Sequence, residues 1–223
     1  MERASGALDL RVLSYPPDRF LDYAALAELV GAQLPQGEPY ALVGESFGGP
    51  LALRLAAAAP ADVVGLVLAA SFHRRPAARV IAALRWLSPA YFGLPLPAHV
   101  VRLLLGGADA SDDLVHEVQV AAGSVRGPVM LARARAAMRV DMSEALRSCQ
   151  VPLLFLGGKR DRFLRSALPI EVRALRADAE IRMLDAPHLV LQRCSEESMR
   201  IVEDFLLRSF ASRRDSRRVA EAV

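Results

Sequence analysis

Ser46 lies in the run Gly44-Glu45-Ser46-Phe47-Gly48-Gly49, directly after the apolar stretch Tyr40 to Val43 and directly before a helical pattern from Pro50 to Ala59. A G-x-S-x-G turn between a strand and a helix holds its serine on a strained backbone that lifts the hydroxyl out of the sheet, ready to attack a carbonyl. Glycine two residues to either side lets the flanking backbones pass closely. The helix that follows aims its N-terminus, with its partial positive charge, at the place where an oxyanion would form. The N–H of Phe47 is then expected to serve as one oxyanion donor.

A serine hydroxyl is a weak nucleophile until a base takes its proton, and that base needs a carboxylate to orient it. Asp161 ends the run Gly157-Gly158-Lys159-Arg160-Asp161 after the apolar stretch VPLLFL, and His188 ends Asp185-Ala186-Pro187-His188 after IRML. Twenty-seven residues separate the two, enough for one helix and one strand. Ser46, Asp161 and His188 should therefore emerge together at the carboxyl edge of one sheet, where open α/β folds bind ligands. Asp161 also stands where an aspartate would cap a turn. The other carboxylates fit the acid's place less well. The stretch Ala70-Ser71-Phe72 carries none, Asp185 is too near His188 along one loop, and Asp178 belongs to the turn before a strand. His73, His99 and His116 fall outside the strand pattern and need no role as core or surface residues.

The elements that must position these residues follow from periodicity. Short apolar runs alternating with helical patterns predict an α/β fold, a mostly parallel sheet flanked by helices. Strands are expected at Leu10 to Tyr15, Tyr40 to Val43, Val63 to Ala70, Val151 to Leu156 and Ile181 to Leu184. Helices are expected at Leu21 to Leu34, Pro50 to Ala59 and Ser195 to Phe210. Between Phe72 and Arg147 strand signals vanish, and helical pieces alternate with Pro76, Pro89, Gly93, Pro95, Pro97 and further glycines. The division this implies is a core of residues 1–71 and 148–210, a helical cap or lid at 72–147, and a disordered basic tail at 211–223. Within the cap, Val80, Ile81, Leu84, Trp86, Leu87, Tyr91, Phe92, Leu94 and Leu96 form an apolar stretch suited to an apolar acyl group.

The 223 residues suffice for one large domain, and a 53% hydrophobic content excludes disorder over most of the chain. With 28 basic against 25 acidic residues, the formal charge of +3 gives no reason to expect a nucleic-acid partner. Cys149 and Cys194, the only cysteines, lack metal-ligand spacing and read as two unrelated thiols. No apolar leader follows Met1, and prolines 89, 95 and 97 interrupt the longest uncharged apolar stretch. Stable membrane insertion is therefore not expected, and the reading is cytoplasmic.

The stretches LVGESFGGPLALRLA, VVGLVLAASF, VPLLFLGGKRD and DAPHLVLQ resemble the α/β-hydrolase superfamily over nearly the whole length from Leu10 to Phe210. The combination of ESFGG, LAL and LAASF is similar to small bacterial esterases and more distantly to acyltransferases of the phytyl ester synthase type. The resemblance implies ester hydrolysis through an acyl-enzyme, without metal or organic cofactor, on a small-molecule ester. The alternatives are acyl transfer to an alcohol by the same triad, or a catalytically impaired relative acting as a binding protein. One departure stands out. Members of the superfamily carry further strands and a His-Gly or Pro-Gly loop that gives the second oxyanion donor, but only nine residues precede Leu10 here, and Ser5-Gly6 is no substitute. Without an intervening strand, residues Leu10 to Tyr15 are expected to pair directly with Tyr40 to Val43.

Overall fold

A computed structural model describes residues 8–58, 61–76 and 95–221. Its sheet has four strands, β1 (Tyr40–Glu45), β2 (Val63–Ala69), β3 (Leu153–Gly158) and β4 (Glu180–Leu184), all parallel and in the order β1-β2-β3-β4. The central strands β2 and β3 are buried at every residue, which is why they read as unbroken apolar runs. Their side chains alternate between two cores. Leu66, Leu68, Leu153 and Phe155 face one, while Val67, Leu154 and Leu156 face the other.

Helices cover both faces. On the first lie α1 (Tyr23–Gly31) and α2 (Gly48–Ala57), which bury Tyr23, Leu26, Val30, Leu51 and Leu55 at helical spacing. The α1 helix begins at Asp22, whose carboxylate accepts hydrogen bonds from the N–H groups of Ala24 and Ala25. Between β2 and β3 come α3 (Ala98–Val100), running into a π turn at Val101–Gly106, then α4 (Asp112–Gly123), α5 (Gly127–Arg139) and α6 (Ser143–Ser148). After β3, α7 (Leu168–Leu175) adds Leu168 and Val172 to the first face. The second face is closed by α8 (Val190–Arg193) and α9 (Ser195–Glu221), through Val190, Val202, Phe205 and Leu206.

The path between β2 and β3 leaves and returns at one place. Arg74 and Asp141 form an antiparallel bridge, and the Met142 N–H donates to the His73 carbonyl at 2.7 Å. Most of the apolar stretch expected to line an acyl site (Val80, Ile81, Leu84, Trp86, Leu87, Tyr91, Phe92 and Leu94) lies outside the described residues. No helix among the described residues is long and apolar enough to cross a membrane. Cys149 and Cys194 are both free thiols.

Two expectations are corrected. Residues 10–15 form no strand, and among the described residues β1 pairs only with β2. The reason is direction. Leu8 packs on one core and Leu13 and Tyr15 on the other, so the segment crosses the sheet edge instead of running along it. That leaves Leu10 and Val12 outward, 44% and 76% exposed. At the other end, α9 continues past Phe210 to Glu221 where a disordered tail was expected. Residues 211–221 contain no glycine or proline to stop it and are rich in helix-favouring alanine and arginine.

Candidate active site

The turn between β1 and α2 places Ser46 at φ +46°, a left-handed conformation that is rare for a non-glycine residue. Three hydrogen bonds hold it there. The Ser46 N–H donates to the Ala69 carbonyl at 3.0 Å, and the Ser46 carbonyl accepts from the Gly49 N–H at 3.1 Å and the Ser71 hydroxyl at 2.7 Å. Ala70, at the matching end of β2, is also left-handed at φ +42°. Close packing explains part of the glycine pattern. A Cβ on Gly44 would lie 2.7 Å from both the Gly48 carbonyl oxygen and the Gly49 Cα, and one on Gly49 would overlap the Ser71 hydroxyl. At Gly48 a Cβ would meet only the Tyr15 hydroxyl, at 3.2 Å. The second glycine required by close approach is therefore Gly49, not Gly48 as the motif spacing suggests.

The three side chains singled out from the sequence form one hydrogen-bonded chain. Ser46 Oγ lies 3.0 Å from His188 Nε2, and His188 Nδ1 lies 2.8 Å from Asp161 Oδ2. His188 is almost fully buried, at 4% exposure, with the Phe163 ring tilted against it at 4.9 Å. Asp161 does two jobs. Its Oδ1 accepts from the N–H groups of Phe163 and Leu164 at 2.8 and 2.9 Å, closing a turn, while Oδ2 faces the imidazole.

The loops that carry acid and histidine are pinned to each other. The Lys159 N–H donates to the Leu184 carbonyl at 2.8 Å, and the Arg160 N–H to the Ala186 carbonyl at 3.0 Å. Gly158 makes this possible, because any Cβ there would collide with the carbonyl oxygens of Ala186 and Pro187. The remaining carboxylates are engaged elsewhere, Asp185 with Arg160 at 2.8 Å and Asp178 with Arg176 at 2.7 Å. His99 and His116 are exposed, on α3 and α4, and His73 is buried beneath the 74–141 bridge. None of the three joins the chain at Ser46.

Phe47 stands at the N-terminus of α2, and its N–H finds no acceptor among the described residues. The Tyr23 ring stacks on it at 4.9 Å, and the Tyr23 hydroxyl donates to the Phe47 carbonyl at 3.2 Å. Burial pushes the Tyr23 phenol far above its ordinary value, so it stays a neutral donor. Ser46, Phe47 and His188 open into a cavity of about 1960 Å³ whose walls include Leu51, Leu55, Phe72, Leu104 and Met130.

Ser71, Gly49 and Gly158 are the supporting residues that the motif reading missed. The stretch Ala70-Ser71-Phe72 carries no carboxylate. Its position at the end of the strand beside the elbow was the available signal.

A parallel sheet with a strained serine turn at its carboxyl edge and a histidine–aspartate pair on two later loops places the molecule among hydrolase-type enzyme folds. The chain belongs to the alpha/beta hydrolase family, whose sequence profile matches residues 5–200. A search of curated proteins returned no match. Several solved structures share the fold. A lipase-esterase related protein from Clostridium acetobutylicum is 14% identical, with a TM-score of 0.68 over 82% of this chain and 75% of that one. The alpha/beta hydrolase MGS-M2 from a Medee basin deep-sea metagenome is 18% identical, with a TM-score of 0.70 over 84% and 73%. An enol-lactonase from Burkholderia xenovorans is 18% identical, with a TM-score of 0.65 over 82% and 70%.

Proposed function

We propose that the protein is a serine hydrolase that cleaves a carboxylic ester with an apolar acyl group through an acyl-enzyme. The observation that carries this reading is the hydrogen-bonded chain from Ser46 Oγ through His188 to Asp161, at the mouth of an apolar cavity. Ser46 Oγ attacks the ester carbon while its proton passes to His188 Nε2, and the carbonyl π pair moves onto oxygen. The Phe47 N–H receives that charge. Asp161 holds the Nδ1–H tautomer and stabilises the imidazolium. Collapse of the tetrahedral intermediate expels the alcohol, which takes the proton from His188. Water then repeats the sequence on the acyl-enzyme and frees the acid.

The cavity wall supports the apolar acyl group, since it includes apolar side chains such as Leu51, Phe72 and Met130. Turnover of p-nitrophenyl butyrate tests the reading. Wild-type protein is expected to release p-nitrophenol, and Ser46→Ala to abolish release while folding normally. Equal turnover in the two proteins would refute it.

A further inference from the structure

An ester oxygen that becomes an oxyanion needs donors already in place, and Phe47 supplies one N–H. Two phenols flank Phe47. That of Tyr23 is committed, because its hydroxyl donates to the Phe47 carbonyl at 3.2 Å. That of Tyr15 is not, for among the described residues its hydroxyl has no hydrogen-bond partner. Yet it lies against the first turn of α2, so close that a Cβ on Gly48, the residue after Phe47, would sit 3.2 Å from it. Tyr15 lines the same cavity as Ser46 and His188.

We propose that the Tyr15 hydroxyl is the second oxyanion donor, a catalytic residue for the reaction proposed above, on which this inference rests. The side chain keeps its proton and lends only a hydrogen bond, which strengthens as charge builds on the carbonyl oxygen. Its surroundings hold it ready. The ring meets Phe47 edge-on at 6.1 Å, and the Arg133 guanidinium of α5 lies 5.7 Å from the ring centre. The following backbone is fixed from the same side of the molecule. Arg133 donates to the Pro16 carbonyl at 2.9 Å, and the Arg126 N–H to the Pro17 carbonyl at 2.9 Å. Two successive prolines further restrict that backbone. Burial raises the phenol's pKa more than Arg133 lowers it, so a neutral O–H is present throughout the working range.

The test compares wild type with Tyr15→Phe, which keeps the ring and removes only the hydroxyl. Two rates are measured, phosphonylation of Ser46 by a fluorophosphonate and turnover of p-nitrophenyl butyrate, with the melting temperature as control. Both reactions place negative charge on an oxygen in front of Phe47. The expected result is a fall of about 10²-fold in phosphonylation rate and in kcat, the size associated with loss of one oxyanion donor. KM and the melting temperature should stay at wild-type values. Wild-type rates in Tyr15→Phe would overturn the inference and leave the acyl-enzyme reading standing. A lowered rate that comes with a raised KM and a lowered melting temperature would also overturn it, as the mark of a purely structural tyrosine. A wild-type protein that is never phosphonylated would overturn the underlying reading, and this inference with it.

Discussion

Asp161 divides its carboxylate between a turn and a histidine, and the two uses can be separated by substitution. Asp161→Asn can still accept from Phe163 and Leu164 through its carbonyl oxygen, but it presents an NH₂ to His188 Nδ1. That favours the wrong tautomer, so kcat should fall about 10⁴-fold with little change in melting temperature. Asp161→Ala should lose the same activity and also about 1 kcal/mol of stability with the turn. Wild-type turnover in the asparagine variant would show that another group orients His188. The glycines give a second contrast. Gly49→Ala drives a methyl into the Ser71 hydroxyl and should cost about 1–3 kcal/mol in urea unfolding, as overpacking does. Gly48→Ala, which meets only the end of the Tyr15 side chain, should fall well below that cost. Equal unfolding midpoints for the two would contradict the packing described. At this scale the sequence was informative where chemistry is local. Ser46, Phe47, Asp161 and His188 each sit in a run of neighbours that announces them. The pairs Gly49 with Ser71, Gly158 with residues 186–187, and Tyr15 with Phe47 meet only after folding, and no spacing rule displays them.

Among the elements, the joint between the sheet and the segment after β2 carries a cluster with a defined response to pH. Glu171 of α7 pairs through both oxygens with Arg165 at 2.9 Å and also bonds Arg74. Arg165 in turn donates to the Arg75 carbonyl at 2.9 Å, tying the loop after Asp161 to the base of the 74–141 bridge. These hydrogen bonds, that of Arg165 foremost, hold the Glu171 carboxyl down to about 2. His73 beneath is fully buried with neither ring nitrogen bonded, and burial lowers its pKa against the opposing pull of Glu171 and Asp141. It is therefore neutral and makes no ion pair with Glu171, 3.9 Å away. Both groups bind protons more readily unfolded than folded, so both withdraw stability as pH falls. The His73 contribution is lost below the ordinary histidine value of 6.5, and that of Glu171 between 4.5 and about 2. Urea midpoints measured from pH 8 to 3 should decline in two stages. His73→Leu should remove the upper stage, and Glu171→Gln should shrink the lower, to which the depressed carboxyls of Asp109, Asp141 and Asp178 also contribute. An upper stage that survives in His73→Leu would assign it elsewhere. The strands show why some elements were legible and one was not. Val63–Ala69 and Leu153–Gly158 are buried on both faces, and unbroken apolar runs record that. Residues 8–15 carry Leu8, Leu10, Val12, Leu13 and Tyr15 in a strand-like pattern, yet their two ends go to opposite faces of the sheet, a path that composition does not encode.

For the molecule as a whole, the three-layer arrangement brings three distant chain segments to one edge and opens a large apolar cavity beside them. Each methylene an acyl chain buries there contributes up to ~0.8 kcal/mol. Catalytic efficiency on p-nitrophenyl esters should therefore climb from acetate to medium chains, and a steep preference for acetate would contradict the apolar acyl site. Every part of the account depends on Ser46 being the one activated serine. The most direct measurement is peptide mapping after treatment with a fluorophosphonate. The predicted result is a single adduct, on the peptide containing Ser46, that is absent in Ser46→Ala. An adduct on another serine, or labelling that persists in Ser46→Ala, would contradict the account.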